Sequence, residues 1–236
     1  MQPLTHFQLK TYSYFILSSI LLICITVQST AQTKESVKKD SIPFLQGIWI
    51  EADVAPVFER ALINKNAYRA QGNIQVNLKN KYYPVIEFGY AGADKTASNG
   101  IEFSTSGFFG KAGADLSMLK PKPNSTQKNN NFLVGLRLGA SRFNYSLYNQ
   151  TITDNYWGNS ETFNLESISS TKLWYEIAAG MRVEIFRNIY MGWTIRNKHL
   201  ISKTESGQTT PWYIPGYGIG NTSVWGLSYS IGYRIK

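Results

Sequence analysis

A chain of 236 residues with 24 basic and 15 acidic side chains, net +9, carries one cysteine and two histidines. That excludes a disulfide-stapled scaffold and a cysteine-built metal centre. Charged residues are 17% and aromatic residues 14% of the chain, the first low against the ~25% of ordinary soluble domains. A basic balance seeks anionic neighbours, and for an exported chain those are phosphate-rich lipopolysaccharide and lipid headgroups rather than nucleic acid.

Export is written into the first residues. A polar start with Lys10 leads into the apolar run YFILSSILLICITV (14–27) and then into Gln28-Ser29-Thr30-Ala31. This is the layout of a secretory signal peptide over 1–31, cleaved near Ala31. The run is shorter than the ~20 residues of a bilayer-spanning helix. Cys24 lies inside it and is preceded by Ile23, where a lipoprotein signal wants a small residue. A polar stretch, 32–46, is expected to be a disordered periplasmic leader, followed by a single domain over 47–236.

From Gly47 onward the chain alternates. In 48–58, Ile48, Ile50, Ala52, Val54 and Phe58 share one phase, with Trp49, Glu51 and Asp53 on the other. Ala70, Gly72, Ile74, Val76 and Leu78 oppose Arg69, Gln71, Asn73, Gln75 and Asn77. Ile86, Phe88 and Tyr90 oppose Glu87, Gly89 and Ala91. A fourth segment, 101–114, is less regular and puts Lys111, Gly113 and Asp115 on its polar side. Phe132, Val134, Leu136, Leu138 and Ala140 oppose Gly135, Arg137, Gly139 and Ser141. Tyr175 to Ile185 opposes Glu176, Gly180, Arg182 and Glu184. Met191, Trp193 and Ile195 oppose Gly192, Thr194 and Arg196. The last segment, SVWGLSYSIGYRIK (223–236), sets Trp225, Leu227, Tyr229, Ile231 and Tyr233 against glycine, serine and Arg234.

Period two is the repeat of a β-strand. Eight such segments, apolar on one face and sparsely charged on the other, read as an all-β fold: an eight-stranded antiparallel up-and-down transmembrane β-barrel of the outer-membrane type. Lipid offers no hydrogen-bond partner, so a sheet that crosses it must close on itself. An eight-stranded barrel leaves an interior that side chains fill. The last strand is therefore expected to pair with 48–58. A soluble lipocalin-like barrel would reverse the faces and place the lone charges outside, which the aromatic-rich apolar face fits poorly. With both ends in the periplasm, 59–67, 92–99, 146–169 and 203–220 become outer loops. The inner turns are 79–82, 115–130 and 186–189. Tyr90, Trp193, Trp225 and Tyr229 are expected to form aromatic girdles at the membrane interfaces.

The chemistry on offer is sparse. Beyond the leader there is one histidine, His199, and Ser202 three residues on falls on the opposite face of a regular strand. No nucleophile, phosphate-loop or metal motif appears, so no catalytic residue, metal ligand or cofactor is assigned. The alternatives weighed are a lipid-modifying enzyme of the lipid A deacylase type near His199, and a narrow channel. Interior-facing charges form the stronger set: Glu51, Asp53, Arg69, Glu87, Arg137, Glu176, Arg182, Glu184, Arg196 and Arg234, with Lys111, Asp115 and Lys198 beside them. Their near balance favours salt bridges across a plugged lumen over an ion-selective pore, which would carry one sign in excess. Trp212, Tyr213 and Tyr217 in PWYIPGYG (211–218) are candidate binding residues of an outer loop.

The stretch NIYMGWTIR (188–196), the PWYIPGYG loop and GKAGADLSML (110–119) resemble a domain-of-unknown-function family of Bacteroidota outer-membrane β-barrels. The resemblance spans about 45–236. It implies the barrel fold, the outer-membrane address and dependence on the outer-membrane assembly machinery, and it implies no activity. Such barrels commonly end on an aromatic residue, whereas this chain ends Ile235-Lys236 and leaves that signal to Tyr233.

Overall fold

Alternating side chains fold here into long paired strands. The computed structural model describes residues 43–62, 65–119, 130–153, 160–202 and 210–235. The elements are β1 (Leu45–Asp53), α1 (Ala55–Leu62), β2 (Ala67–Leu78), β3 (Tyr82–Thr96), β4 (Glu102–Ser117) and β5 (Asn131–Thr153). They continue with β6 (Ser160–Phe186), β7 (Ile189–Leu200), the short pair β8 (Tyr213–Ile214) and β9 (Gly218–Ile219), and β10 (Ser223–Arg234). The signal segment 1–31 and most of the leader lie outside the described residues. The leader's last two residues, Leu45 and Gln46, already belong to β1.

Eight of the strands close into one antiparallel ring in the order β1-β10-β7-β6-β5-β4-β3-β2. The closing seam runs from Trp49 opposite Arg234 to Asp53 opposite Ser230, so the last strand meets the first as its alternation requires. Phe108, Leu136, Leu138 and Trp225 stand on the outer face of the wall, 63–73% exposed. Their opposite-phase neighbours are buried inside. This is a transmembrane barrel of the outer-membrane type, with its apolar face turned outward. Tyr90 packs on Phe108 on that outer face, ring centroids 4.8 Å apart. Trp193 and Tyr229 are cross-strand partners near the middle of β7 and β10.

One end of the barrel is finished by tight turns. Lys79 and Asn80 both have positive φ, 54° and 55°, and Lys81 N bonds back to Leu78 O at 3.1 Å, as in a type I′ hairpin turn. Arg187 and Asn188 join β6 to β7, with Asn188 at φ 64°. The third connection at this end falls largely on 120–129, outside the described residues.

The other end departs from the sequence expectation in three places. The first segment does not run to Phe58 as a strand: β1 stops at Asp53 and Ala55–Leu62 is helical. Pro56 has no N–H for a ladder but fits a first helical turn. The Asp53 carboxylate accepts from Ala55 N at 3.0 Å and turns the chain. The expected loop 146–169 is mostly sheet, with β5 and β6 paired out to Thr153 opposite Ser160. Beyond Leu147 the strands carry mostly polar residues, so the apolar–polar code lapses while backbone pairing continues. The expected loop 92–99 shrinks likewise, because β3 pairs with β4 as far as Thr96 opposite Glu102. The barrel wall is therefore tall over β3–β6 and low over β10, β1 and β2.

The interior is layered. Trp49, Tyr83, Leu133 and Tyr190 form an apolar cluster toward the turn end. Charged side chains fill the middle. A larger cluster that includes Phe103, Phe109, Phe143, Trp174 and Tyr217 fills the loop end. Lumen glycines make the space: a Cβ on Gly139 would collide with the Trp174 indole, and one on Gly135 with the Asp115 carboxylate.

Candidate functional site

Glu87 is the centre of the polar layer. Arg196 Nη1 donates to both its oxygens at 2.8 Å, Arg137 Nε lies 2.5 Å from Oε1, and Lys111 Nζ lies 3.5 Å from Oε2. Gln71 adds a hydrogen bond at 2.8 Å. Glu176 shares Arg196 (3.2 Å) and Lys111 (3.1 Å) and accepts from Trp174 Nε1 at 2.7 Å. Arg137 reaches on to Asp115 at 2.9 Å, and Gln75 links Asp115 (2.7 Å) to Arg182 (2.5 Å). Arg182 then pairs with Glu51 at 2.6 Å, and Asn73 and Ser230 donate to Glu51.

Six of the ten charges expected in the lumen thus join one connected network: Glu51, Glu87, Arg137, Glu176, Arg182 and Arg196. Asp53 and Arg69 pair separately at 3.3 Å beside α1, with Glu59 3.7 Å from Arg69. Glu184 accepts from Asn188 N in the β6–β7 turn at 3.2 Å. Arg234 donates to Gln46 O at 2.8 Å and lies over the Trp49 ring. Gln75 and Trp174 are the members that strand phase places inside but that no charge pattern singles out. Four carboxylates face four cations within the network. Neither sign is in excess, which is unlike the charged rings that select ions. The network encloses a polar cavity of about 40 Å³ lined by Asn73, Asp115, Arg137 and Arg182 among others, room for a very few waters at ~10–15 Å³ each.

The loop carrying Trp212, Tyr213 and Tyr217 does not stand out from the barrel as a freely presented binding loop. It folds inward. β8 and β9 form a two-residue hairpin whose Ile214 and Tyr217 are each only 1% exposed. Tyr217 packs edge-on against Trp174 at 5.9 Å and donates its hydroxyl to Asn221 O at 2.6 Å. Lys198 Nζ, rising from β7, donates to Gly216 O and Tyr217 O at 2.9 Å each. Burial pushes the phenols of Tyr213 and Tyr217 above their ordinary range. Tyrosine, tryptophan and proline in one turn read from the sequence as an exposed binding loop. The depth of the barrel mouth beneath it is what turns those groups inward.

Trp212 keeps a different position, stacked on Phe103 with centroids 5.3 Å apart and planes 20° from parallel. Between this loop and the tops of β2–β4 opens a cleft of about 540 Å³. A smaller hollow of about 230 Å³ continues it across the tips of β3–β5. Strand phase carries no sign of this cleft, because its walls come from segments far apart in the chain.

His199 and Ser202 each engage another partner on β6. The imidazole stacks on Tyr175, 4.9 Å between centroids at 12°. The Ser202 hydroxyl accepts from Leu173 N at 2.7 Å. Among the described residues no cluster of histidine, cysteine and carboxylate has the makings of a metal site.

Residues 11–236 match DUF6048, a domain of unknown function. The chain belongs to this family. Comparison with curated proteins gave no match. Among solved structures, the chain is similar to Ail, the attachment invasion locus protein of Yersinia pestis, seen in complex with the heparin analogue sucrose octasulfate. That similarity covers 80% of this chain and 94% of Ail, with 12% identity and a TM-score of 0.39.

Proposed function

We propose that the protein is a small, non-enzymatic outer-membrane β-barrel of the bacterial cell envelope whose loop end binds an extracellular partner. The observation that carries this reading is the closed interior. The lumen is filled by a neutral salt-bridge network, and the β8–β9 loop is pinned over it by Lys198. Among the described residues, side chains so arranged leave little room for an aqueous path. Its polar features are spent on structure except at the mouth, where the cleft beside Trp212 opens. In this reading the signal segment is removed near Ala31, the tight turns face the periplasm and the tall β3–β6 wall faces outward. Lipopolysaccharide and lipid surround the apolar belt, the assembly machinery inserts the chain, and Bacteroidota are its source.

Two measurements test it. Full-length protein in the outer-membrane fraction should migrate faster on a gel unheated than boiled, because a closed barrel resists detergent. Purified protein in planar bilayers should show no steady conductance. A steady channel overturns the closed-lumen reading, and a soluble fraction without heat-modifiability overturns the envelope reading as a whole.

A further inference from the structure

The cleft at the loop end is built from chemistry of two kinds. On one side stand the ring of Trp212, held in plane by its stack on Phe103, and the side chains of Tyr213 and Ile219. Polar groups complete the lining: Asn66, Asp94 and Lys95 from the strand ends, and Thr210 and Asn221 from the loop itself. Its 540 Å³ falls within the ~300–1,000 Å³ usual for small-molecule sites, which are apolar walls with a few placed polar groups. The neighbouring 230 Å³ hollow shares Asn66, Asp94, Lys95 and Phe103 with it and extends it toward Glu102 and Tyr148. The two together make one bent groove, longer than a single ring needs.

The charge in the groove narrows the ligand. Lys95 is its one base among the described residues, and Asp94 and Glu102 oppose it. On a chain of net +9, this is a locally balanced to acidic patch, so phosphate- or sulfate-rich ligands would meet no cluster of cations such as they require. A fatty chain would bury Asn66, Asp94, Lys95 and Asn221 against hydrocarbon, which is costly without hydrogen bonds. A pyranose suits both walls: its C–H face packs on an aromatic ring, and its hydroxyls pair with amide, carboxylate and hydroxyl groups.

We propose that this groove binds a neutral oligosaccharide, with Trp212 as the stacking platform and Asn221 and Asn66 as hydroxyl partners. The assignment rests on the reading of the protein as an envelope barrel that binds outward, and it names the ligand class. Heat-modifiable full-length protein in detergent is titrated with maltotriose, cellotriose and chitotriose, and in parallel with heparin as an anionic glycan, reading tryptophan fluorescence and calorimetric heat. At least one neutral trisaccharide should bind saturably and heparin should not compete with it.

Trp212→Ala should weaken that binding by at least about tenfold, the worth of one good stacking contact. Asn221→Ala should weaken it several-fold. The backbone of Asn221, not its side chain, accepts from Tyr217 and donates to Ile219, so this variant keeps the loop seated. Unchanged heat-modifiability in both variants shows that the barrel is intact. A folded barrel that binds none of the three neutral sugars, that binds heparin alone, or whose binding survives both substitutions overturns the oligosaccharide assignment and leaves the barrel reading standing. A chain that is not heat-modifiable overturns both.

Discussion

Lys198 Nζ lies 2.9 Å from the carbonyl oxygen of Gly216, and its second hydrogen bond, also 2.9 Å, goes to the next carbonyl, Tyr217 O. A strand of the wall thereby holds a loop that lies 18 residues on, through an ammonium that is 4% exposed. The lysine is the peg of the mouth. Removing it leaves two buried carbonyls without their donor; packing against Phe109, Trp174 and Phe103 and the Tyr217 hydroxyl bond to Asn221 O remain.

Lys198→Met keeps the length of the side chain and removes its donors. Each of its two hydrogen bonds is worth about 0.5–1.5 kcal/mol. The variant should unseat β8–β9 while the barrel persists: limited proteolysis within 211–222 should rise at least about tenfold, with heat-modifiability retained. An unchanged cleavage rate would show that packing alone seats the loop.

Gly216 tests the same seat from the other side. It has φ +78°, and a Cβ there would run into the Phe109 ring. Gly100, at φ +83°, has nothing within 4 Å of its Cβ position. Gly216→Ala should therefore open the loop to protease. Gly100→Ala should cost only the conformational strain of about 1–2 kcal/mol and leave cleavage as it was. Equal behaviour of the two variants would remove steric fit as the reason for the glycine.

Glu87 should be the most costly of the lumen acids to neutralise, because three cations converge on it. Glu87→Gln leaves Arg196, Arg137 and Lys111 facing each other with Glu176 and Asp115 as their remaining anions. Removing one member of a buried ion pair costs about 3–5 kcal/mol. Guanidinium unfolding followed by gel shift should show a midpoint far below that of the parent, and adding Arg137→Met should restore part of it. A double variant no more stable than Glu87→Gln would mean that the two side chains are not coupled.

The membrane belt makes a cruder prediction. Leu138 is 65% exposed on the outer face of β5. Leu138→Arg should cost about 2–4 kcal/mol, the penalty for a cation near the bilayer midplane. Ser169→Arg, exposed on the outer phase of β6 where it pairs with Asn144 beyond the apolar belt, should be nearly neutral in the same unfolding assay. If both are tolerated alike, that face does not meet lipid.

High pH should loosen the mouth. Burial raises the phenols of Tyr213 and Tyr217, so the seated loop favours their neutral forms. The folded-state pKa lies above the unfolded value of ~10. Their contribution is then fully present below about pH 10 and is lost as pH rises through the raised pKa. Tyrosinate absorbance should show a fraction of tyrosines ionising late, and protease sensitivity of 211–222 should rise together with that late fraction. Ionisation of all tyrosines in one step near 10 would rule the linkage out.

The sequence by itself determined the wall. Strict alternation in β2, β5, β7 and β10 states which side chains meet lipid, because the pleat sends successive residues to opposite faces and a bilayer punishes any slip. It also named most of the interior charge, since a polar group on the inward phase has only the lumen to enter. It failed wherever lipid no longer enforces the code: β5 and β6 run on past 146 and into 169 as paired strands, and Pro56 starts a helix where alternation suggested strand.

Only the tertiary structure decided which charges meet, for Glu87 finds Arg196 at a separation of 109 residues through closure of the ring. It also decided that Tyr217 points down onto Trp174 while Trp212 remains at a cleft. Both outcomes depend on the depth of the mouth beneath the loop and on Lys198 reaching its carbonyls. Neither quantity exists until the eight strands have closed.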